Sequence, residues 1–502
     1  MSGTLGKARW MTQEEAVEFG HYKPKGLLIG KSAKGGYLWY DGDGHTMITA
    51  PPGAGKGVGF VVPNLLSYKG STLVIDPKGE NASSTAKYRR DHLGQDVRIL
   101  DPFGVTGFKS DSFNPLSHLI HSNEDELIAD ISALSQALVP QGKAFKDEFW
   151  RNAAVELVSA LILFVAGHEP ANLNLNRISE ILGCPWDEWM AMFQMMSESN
   201  CPDLGVRRLI RGHANWYLNI ESSHKQYHYG TLKESLKWLQ DPAIQRMVSA
   251  SDFDIGRMKY EPMTVYVALP PNYIESYKPW MRAVLTAALH GIMKELTDLE
   301  WPTLFMLDEF PRAIGRLEPI DNALPLMRAY GARCAFVMQT LAQLKELYPD
   351  SWSQFEETSG ASIYLSAQSE TAKHVSERLG QTSVTTRTGE VSDAAMTNKS
   401  EPKKGSIQHS TPTLAYGKSS QYQSRPLMYP EEVATLGELQ SIVFLTNSPP
   451  MRISRVTVYD DPHFKPLLDR KSSTAAKELT AASQKSKPPI LKILEDCQNF
   501  KD

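Results

Sequence analysis

The residues best suited to chemistry form a glycine-rich turn with a single lysine, Ala-Pro-Pro-Gly-Ala-Gly-Lys-Gly (50–57). A β-branched run precedes the turn and a second apolar run follows it, which is the strand, loop and helix order of a phosphate-binding loop. Such small residues let backbone N–H groups surround phosphate oxygens, while the lysine reaches the β- and γ-phosphates. The residues expected to contact nucleotide are Pro52, Gly53, Ala54, Gly55, Lys56, Gly57 and Val58.

Two positions depart from the usual phosphate-loop pattern. Ala50 stands where the first glycine belongs, and Gly57 stands where a serine or threonine hydroxyl normally holds Mg²⁺. An ordinary Gly-Pro turn before a core helix would give a similar stretch. The phosphate-loop interpretation therefore needs a second motif elsewhere in the chain.

Two adjacent acids after an apolar run supply that second motif. Residues 304–307 predict a buried strand, and Asp308 and Glu309 follow it directly. Asp308 is suited to holding a water of the Mg²⁺ shell, and Glu309 to polarising the attacking water. A core strand that ends in solvated acids is the alternative. Together with the lysine loop, the pair predicts a site for ATP and Mg²⁺.

Gln339 and Arg328 are two further candidates for the same reaction. Gln339 ends the next predicted strand and is placed to sense the γ-phosphate, although a helix-capping amide would look the same. Arg328 and Arg333 flank a turn before that strand. A guanidinium supplied across a subunit interface would stabilise charge on the phosphates, whereas most arginines are simply solvated.

The surrounding pattern predicts an α/β fold with a mainly parallel central sheet and an inserted all-α segment. A β-hairpin is expected at 26–40, and later strands at 71–76, 97–101, 264–269, 302–310, 333–339, 362–365 and 441–445. Helical spacing prevails from 121 to 258, with helices expected at 126–138, 149–165, 186–196 and 232–247, and another helix at 280–296.

These patterns divide the chain into four parts. Residues 1–120 form a lead-in, a hairpin and the first part of a nucleotide-binding domain, 121–258 an all-α domain, and 259–465 the second part of the nucleotide-binding domain. Within the last of these, 381–425 shows neither helical nor strand period and is expected to be a mobile loop or a partner-binding segment. A flexible tail is expected at 466–502.

The amino-acid composition limits which classes of protein this chain can belong to. The 502 residues are 41% apolar, and 53 basic against 57 acidic residues give a net charge of −4, so any nucleic-acid surface must be local. Four cysteines without a C-x-x-C pair fit a reducing cytoplasm. The most apolar run, 157–166, is about half the length of a bilayer span, which predicts a soluble chain without a transmembrane segment.

Basic and aromatic residues interleave between positions 207 and 229. This pattern suits stacking on nucleic-acid bases, but helices with buried aromatics and solvated cationic tips give the same composition, which is the favoured interpretation. His224 and His228 lie four residues apart, yet no acidic or cysteine ligand accompanies them, so a metal site is not expected there.

Taken together, these motifs resemble the TraG/VirD4 family of type IV secretion coupling proteins over nearly the whole chain. The stretches that carry the resemblance are 8–10, 51–59, 63–66, 76–80, 113–116, 307–310, 339 with 343–344, and 425–428. The resemblance implies a RecA-like nucleotide-binding domain interrupted by an all-α domain. It also implies homo-hexamers with ATP sites at subunit interfaces, to which Arg328 contributes in trans.

The family delivers DNA and effector proteins to the secretion channel, so the expected partners are relaxase or effector-protein substrates, single- or double-stranded DNA, and the channel with its ATPases. Members usually carry N-terminal transmembrane helices. The resemblance therefore implies a place at the cytoplasmic face of the bacterial inner membrane, reached through an anchor outside these residues or through a partner. Glycine after the loop lysine is common in the TraG branch, so Gly57 is compatible with an active site.

Three functional hypotheses follow. The first is an ATPase that drives DNA or nucleoprotein toward a secretion channel, with Lys56, Asp308, Glu309, Gln339 and Arg328 as its catalytic residues. A second is a substrate-docking receptor in which nucleotide acts as an assembly switch. The third is a chromosome-translocase-like DNA motor with a similar core.

Overall fold

The computed structural model describes residues 6–121, 124–139, 148–391 and 416–468. The strands in these ranges are β1 (Leu27–Lys31), β2 (Tyr37–Tyr40), β3 (His45–Thr49), β4 (Thr72–Asp76), β5 (Asp96–Leu100), β6 (Met263–Ala268), β7 (Thr303–Leu307), β8 (Ala332–Met338), β9 (Ser359–Leu365), β10 (Gln381–Val391), β11 (Tyr416–Pro426), β12 (Gln440–Leu445) and β13 (Met451–Ser454).

The α-helices are α1 (Gln13–Glu18), α2 (Val62–Ser67), α3 (Glu80–Asp91), α4 (Glu124–Leu138), α5 (Glu148–His168), α6 (Leu175–Gly183), α7 (Trp186–Ser197), α8 (Leu204–Asn219), α9 (Ser222–Leu236), α10 (Pro242–Val248), α11 (Ile274–Ile292), α12 (Phe310–Ala313), α13 (Glu318–Met327), α14 (Leu341–Leu347), α15 (Trp352–Glu357), α16 (Ser369–Leu379) and α17 (Pro430–Ala434). Between β5 and β6 the described chain is helical, and strands resume at Met263.

One sheet of eleven strands organises the molecule, in the order β2-β1-β13-β12-β9-β3-β8-β7-β4-β6-β5. From β9 to β5 in this order, each strand is parallel to the next, whereas β2, β1, β13, β12 and β9 are joined by antiparallel pairings. The predicted α/β class with a mainly parallel central sheet is therefore confirmed. Parallel strands are covered on both faces, which is why β3, β4 and β7 are buried along their whole length.

The sheet register fixes which strand ends meet. Thr49 of β3 lies opposite Met338 of β8, and Ile75 of β4 lies opposite Leu307 of β7. Because these strands are parallel and adjacent, the residues that follow them emerge at a single edge of the sheet. The lysine loop after β3, the acids after β7 and Gln339 after β8 are therefore gathered at the carboxyl edge.

The helix α5 extends the apolar run that the sequence showed at 157–166. By length and composition alone, its Phe149–His168 stretch could cross a membrane. In the structure, however, 61% of its most apolar part is buried inside the fold. Ala154, Val158 and Leu161 on this helix are nearly inaccessible to solvent. The helix thus packs as a core element of the helical segment.

The expected strands and most expected helices are confirmed, with shifted ends. The helix expected at 232–247 is wrong as a single element, because a short 3₁₀ turn at Lys237–Gln240 separates α9 from α10, which begins at Pro242. The helix expected at 280–296 begins earlier, at Ile274, and ends at Ile292.

The expectation of a loop without regular structure at 381–425 is wrong at both ends. Strands β10 and β11 pair antiparallel from Gln381 opposite Pro426 to Val391 opposite Tyr416. Both strands are polar at most positions, so apolar alternation could not reveal them. Residues 392–415 of that segment, and 469–502 of the expected tail, lie outside the described residues.

Candidate nucleotide site

Glycine conformation shapes the turn between β3 and α2. Gly53 and Gly55 have φ angles of +78° and +77°, in the left-handed region that side chains disfavour. A π-helical turn at Gly57–Val61 then leads into α2, with Lys56 immediately before it. A Cβ atom added at Gly53 or Gly57 would meet no heavy atom within 4 Å. The turn is therefore an open backbone cradle with the lysine at its helical end.

Four of the predicted catalytic side chains meet beside this cradle. The Lys56 ammonium pairs with the Glu309 carboxylate, and Gln339 Nε2 donates a hydrogen bond to the other Glu309 oxygen at 2.9 Å. Asp308 precedes Glu309 and accepts the Glu309 backbone N–H at 3.0 Å. Lys56 and Glu309 are mostly shielded from solvent, with side chains 15% and 13% exposed. A cation, two carboxylates and an amide thus share one partly enclosed edge.

The Glu309 backbone adopts a conformation that is costly for its residue type. Its φ of +52° lies in the left-handed region, directly before the short helix α12. A non-glycine residue held there stores strain on the order of 1–3 kcal/mol, and such strain concentrates at functional sites. The left-handed turn directs the carboxylate to both Lys56 and Gln339, which come from other strand ends.

Asp76, which the sequence analysis did not single out as a site residue, lies close to Asp308. It ends β4, next to β7, is nearly inaccessible, and accepts the Ala82 backbone N–H at 2.8 Å. Burial, with a smaller contribution from the negative charge of Asp308, raises the pKa of Asp76 to about 7, although hydrogen bonds from the backbone N–H groups of Ala82 and Asn81 oppose the shift. The sequence shows an aspartate at the end of each of these two strands, Asp76 in β4 and Asp308 directly after β7. It does not show that the two strands are neighbours, which only the strand order reveals.

Asp308 has a perturbed pKa as well. Burial raises this pKa to about 6, while the positive charge of Lys56 opposes the shift. Asn81 Nδ2 lies 3.5 Å from an Asp308 oxygen. Two neighbouring carboxyl groups that resist ionisation are suited to a divalent cation, since oxygen ligands are what Mg²⁺ prefers. Asp76 and Asp308 are therefore the candidate residues for holding Mg²⁺, directly or through water.

The predicted residue Arg328 lies at the opposite edge of the sheet. It precedes β8, and its guanidinium pairs with Asp43, which precedes β3, at 2.9 Å. Arg333 approaches the same carboxylate at 3.3 Å. The Arg328 side chain is 67% exposed, whereas that of Arg333 is 14% exposed. Within one chain the structure does not bring Arg328 to the lysine loop.

A cavity of about 450 Å³ adjoins the outer side of the lysine loop. Arg455, which follows β13, lines it and donates a hydrogen bond to the Ala54 carbonyl oxygen within the loop. Burial lowers the pKa of Arg455. The sequence analysis missed this residue, because β13 was not predicted and nothing in the pattern placed residue 455 near residue 54. The lining residues are Pro51, Pro52, Gly53, Ala54, Gly55, Val58, Gly59, Ser366, Gln368, Glu438, Arg455, Val456 and Thr457.

The residues that interleave basic and aromatic types lie on α8 and α9. Tyr217 and His228 are buried, as expected for aromatics packed into a helical core, while Trp216 and Tyr227 are 39% and 53% exposed. The remaining members are Arg207, Arg208, Arg211, His213, His224, Lys225 and Tyr229. Within the described ranges, neither His224 nor His228 belongs to a cluster of three potential metal ligands.

The open space at Gly57 leads to a prediction for the phosphate loop. Gly57→Thr is expected to fold normally, and to lower the Mg²⁺ concentration for half-maximal ATP hydrolysis several-fold, because the hydroxyl supplies a metal ligand that glycine lacks. Gly55→Thr is the matched control, since the positive φ at Gly55 disfavours a side chain. An unchanged Mg²⁺ dependence in a folded Gly57→Thr protein would contradict the prediction.

Comparison with known proteins gives concordant results. The model of the family described as type IV secretory system conjugative DNA transfer matches residues 2–485. The chain is similar to Protein VirD4 of Rhizobium radiobacter, at 26% identity over 478 residues, covering 93% of this chain and 65% of that protein. It is also similar to conjugal transfer protein TraG of Agrobacterium fabrum, at 27% identity, covering 85% of this chain and 62% of that protein. The chain thus spans just under two-thirds of the length of these relatives.

Solved structures show the same fold. A bacterial conjugative coupling protein, TrwBdeltaN70, superposes with a TM-score of 0.65 at 16% identity, covering 92% of this chain and 97% of that one. The plasmid coupling protein TrwB in complex with ADP and Mg²⁺ superposes with a TM-score of 0.63 at 15% identity, covering 92% and 98% of the two chains.

Proposed function

The chain belongs to the family of type IV secretory system conjugative DNA transfer proteins, and from this premise we propose that it is a coupling ATPase. It recruits DNA with relaxase, or effector proteins, and uses ATP hydrolysis to deliver them to a secretion channel. The observation that carries the proposal is the meeting of Lys56, Asp308, Glu309 and Gln339 beside a glycine cradle. Relatives named for conjugal transfer support the choice of substrate class.

Each residue has a role that follows from its position. Lys56 binds the phosphate oxygens, exchanging its contact with Glu309 for one with the nucleotide. Glu309 then accepts a proton from the attacking water, and Gln339 holds the second carboxylate oxygen in place. Asp308 and Asp76 would hold Mg²⁺, which would neutralise charge on the phosphates. The backbone from Pro52 to Val58 surrounds the phosphate groups.

The proposal extends to the assembled state. In one chain, the exposed Arg328 and the lysine loop lie at opposite ends of the parallel strands. In the proposed homo-hexamer, Arg328 of one subunit would instead contact the lysine loop of the next. The proposed partners are DNA, relaxase or effector proteins, and the channel with its ATPases. The proposed location is the cytoplasmic face of the bacterial inner membrane.

A first test concerns coupling between DNA and turnover. ATP hydrolysis by the purified chain is expected to rise several-fold when single- or double-stranded DNA is added, and the rise is expected to shrink with salt, because phosphate contacts release counterions. Phosphate release at several salt concentrations measures both effects, with Lys56→Ala as the inactive control. Absence of ATPase activity in a ring assembled on DNA, with substrate binding intact, would instead favour the docking receptor with nucleotide as a switch.

A further inference from the structure

Two histidines and an aspartate meet away from the nucleotide site. His118 lies in a 3₁₀ turn at Ser117–His121, Asp130 on α4 and His290 in the last turn of α11. One ligand atom from each lies within 4.8 Å of the others, and all three side chains are partly buried. Among the residues that the structure describes, no other cluster of three or more potential metal ligands is this close together.

The donor types and spacing suit a divalent transition metal. Imidazole nitrogen and carboxylate oxygen are both zinc ligands, with bond lengths of about 2.0–2.2 Å. Tetrahedral geometry with such bonds places ligand atoms roughly 3.3 Å apart, so side-chain rotations would have to draw the most distant pair together by at most about 1.5 Å. His290 Nδ1 and Asp130 Oδ1 are 2.7 Å apart, which is a hydrogen-bonding distance, so this pair would move apart by about 0.6 Å and release its shared proton on binding the ion.

A cavity beside these residues leaves room for an ion and a further ligand. It has a volume of about 600 Å³, and both Asp130 and His290 line it. Glu126 lines it too, four residues before Asp130 on the same helix, and so offers a second carboxylate on the same face. Lys294 also lines the cavity and opposes a cation, but two carboxylates outweigh its single charge.

We propose that His118, Asp130 and His290 form a binding site for a Zn²⁺-type divalent metal ion, with Glu126 or water as the fourth ligand. The site joins the turn that leads into the helical segment, the first helix of that segment, and α11 beyond it. A bound ion would therefore brace the helical segment against α11, which already packs along α4. A plain ion pair between Asp130 and His290, with His118 beside it, is the competing explanation.

The test uses the full chain stripped with a chelator and titrated with Zn²⁺ alone, in competition with a colorimetric chelator. One equivalent is expected to bind, and His118→Ala and His290→Ala are expected to weaken affinity at least about tenfold each. His213→Ala is the matched control, because His213 pairs with Glu156 at 3.2 Å and belongs to no such group of ligands within the described residues.

Two further measurements keep the outcome decisive. His118→Gln preserves side-chain bulk, so weak binding in a His118→Gln protein with unchanged circular dichroism reports loss of a ligand and not of the fold. Co²⁺ added to the stripped chain is expected to give the visible absorption of a tetrahedral site, and His290→Ala to remove it. Equal zinc affinity in the wild type and all variants, or no stoichiometric binding, would overturn the proposal in favour of the ion pair.

Discussion

Replacing Arg328 by alanine is expected to lower ATP hydrolysis by the assembled protein about 10³-fold or more, the range seen when an arginine that reaches across an interface is removed. Nucleotide binding to the isolated chain is expected to stay unchanged, because Arg328 lies at the sheet edge opposite Lys56 within one subunit. Phosphate release from the ring and fluorescent-nucleotide binding to the monomer measure the two quantities.

Stability effects can be separated from this loss. The Arg328 pair with Asp43 is largely exposed, and such surface pairs contribute only about 0–1 kcal/mol. Arg333→Ala is the matched control, since Arg333 contacts the same carboxylate but is mostly buried and cannot extend to a neighbour. Arg328→Ala is expected to melt near the wild-type temperature and to lose turnover, whereas folded Arg333→Ala is expected to keep turnover.

A mixing experiment tests the trans arrangement directly. Rings of Arg328→Ala subunits and rings of Lys56→Ala subunits are each expected to be inactive. Mixed rings contain interfaces that pair an intact Lys56 with an intact Arg328, so partial activity is expected to return. If mixing restores nothing while mixed rings demonstrably form, Arg328 does not act across the interface.

Local sequence patterns were sufficient to predict the strands that carry this site. Residues 304–307 are continuously apolar because β7 is buried on both faces, and the change to acids at Asp308 marks the carboxyl end of the strand. The glycines at 53 and 55 identify a turn with positive φ for the same kind of local reason. The sequence therefore predicts local structure correctly where one short stretch of residues determines the backbone conformation.

Other parts of the site depend on strand order and register, which local patterns do not contain. Asp76 meets Asp308 only because β4 lies next to β7, although about 230 residues separate them in the chain. Arg455 reaches the Ala54 carbonyl only because the chain turns back after β13 toward the lysine loop. The polar hairpin β10–β11 lacks the apolar alternation by which strands are recognised.

Hydrogen bonds connect Glu309 to the helix α14. Gln339 donates to Glu309 through its side chain, and its backbone N–H donates to Gln343 Oε1 at 3.2 Å. Gln343 belongs to the capping box that begins α14 at Thr340. Two hydrogen bonds therefore connect Glu309 to the start of α14.

Glu309→Gln is expected to lower ATP hydrolysis about 10²- to 10⁴-fold, the contribution of a positioned general base. The amide keeps the shape of the side chain and can still accept from Gln339, but it cannot take a proton from water. It also releases Lys56 from an ion pair, so ATP binding is expected to be retained or strengthened. Single-turnover phosphate release and equilibrium nucleotide binding, measured on the same preparation, test both expectations.

Gln339→Ala separates the base from the residue that positions it. This variant removes one hydrogen bond to Glu309 and leaves the carboxylate and its pairing with Lys56, so a smaller loss of about tenfold is expected. If Glu309 accepts the proton, as proposed, its replacement is expected to reduce turnover more than the loss of Gln339. Equal losses in the two variants, or wild-type turnover in Glu309→Gln, would show that the carboxylate holds Lys56 in place and takes no proton from water.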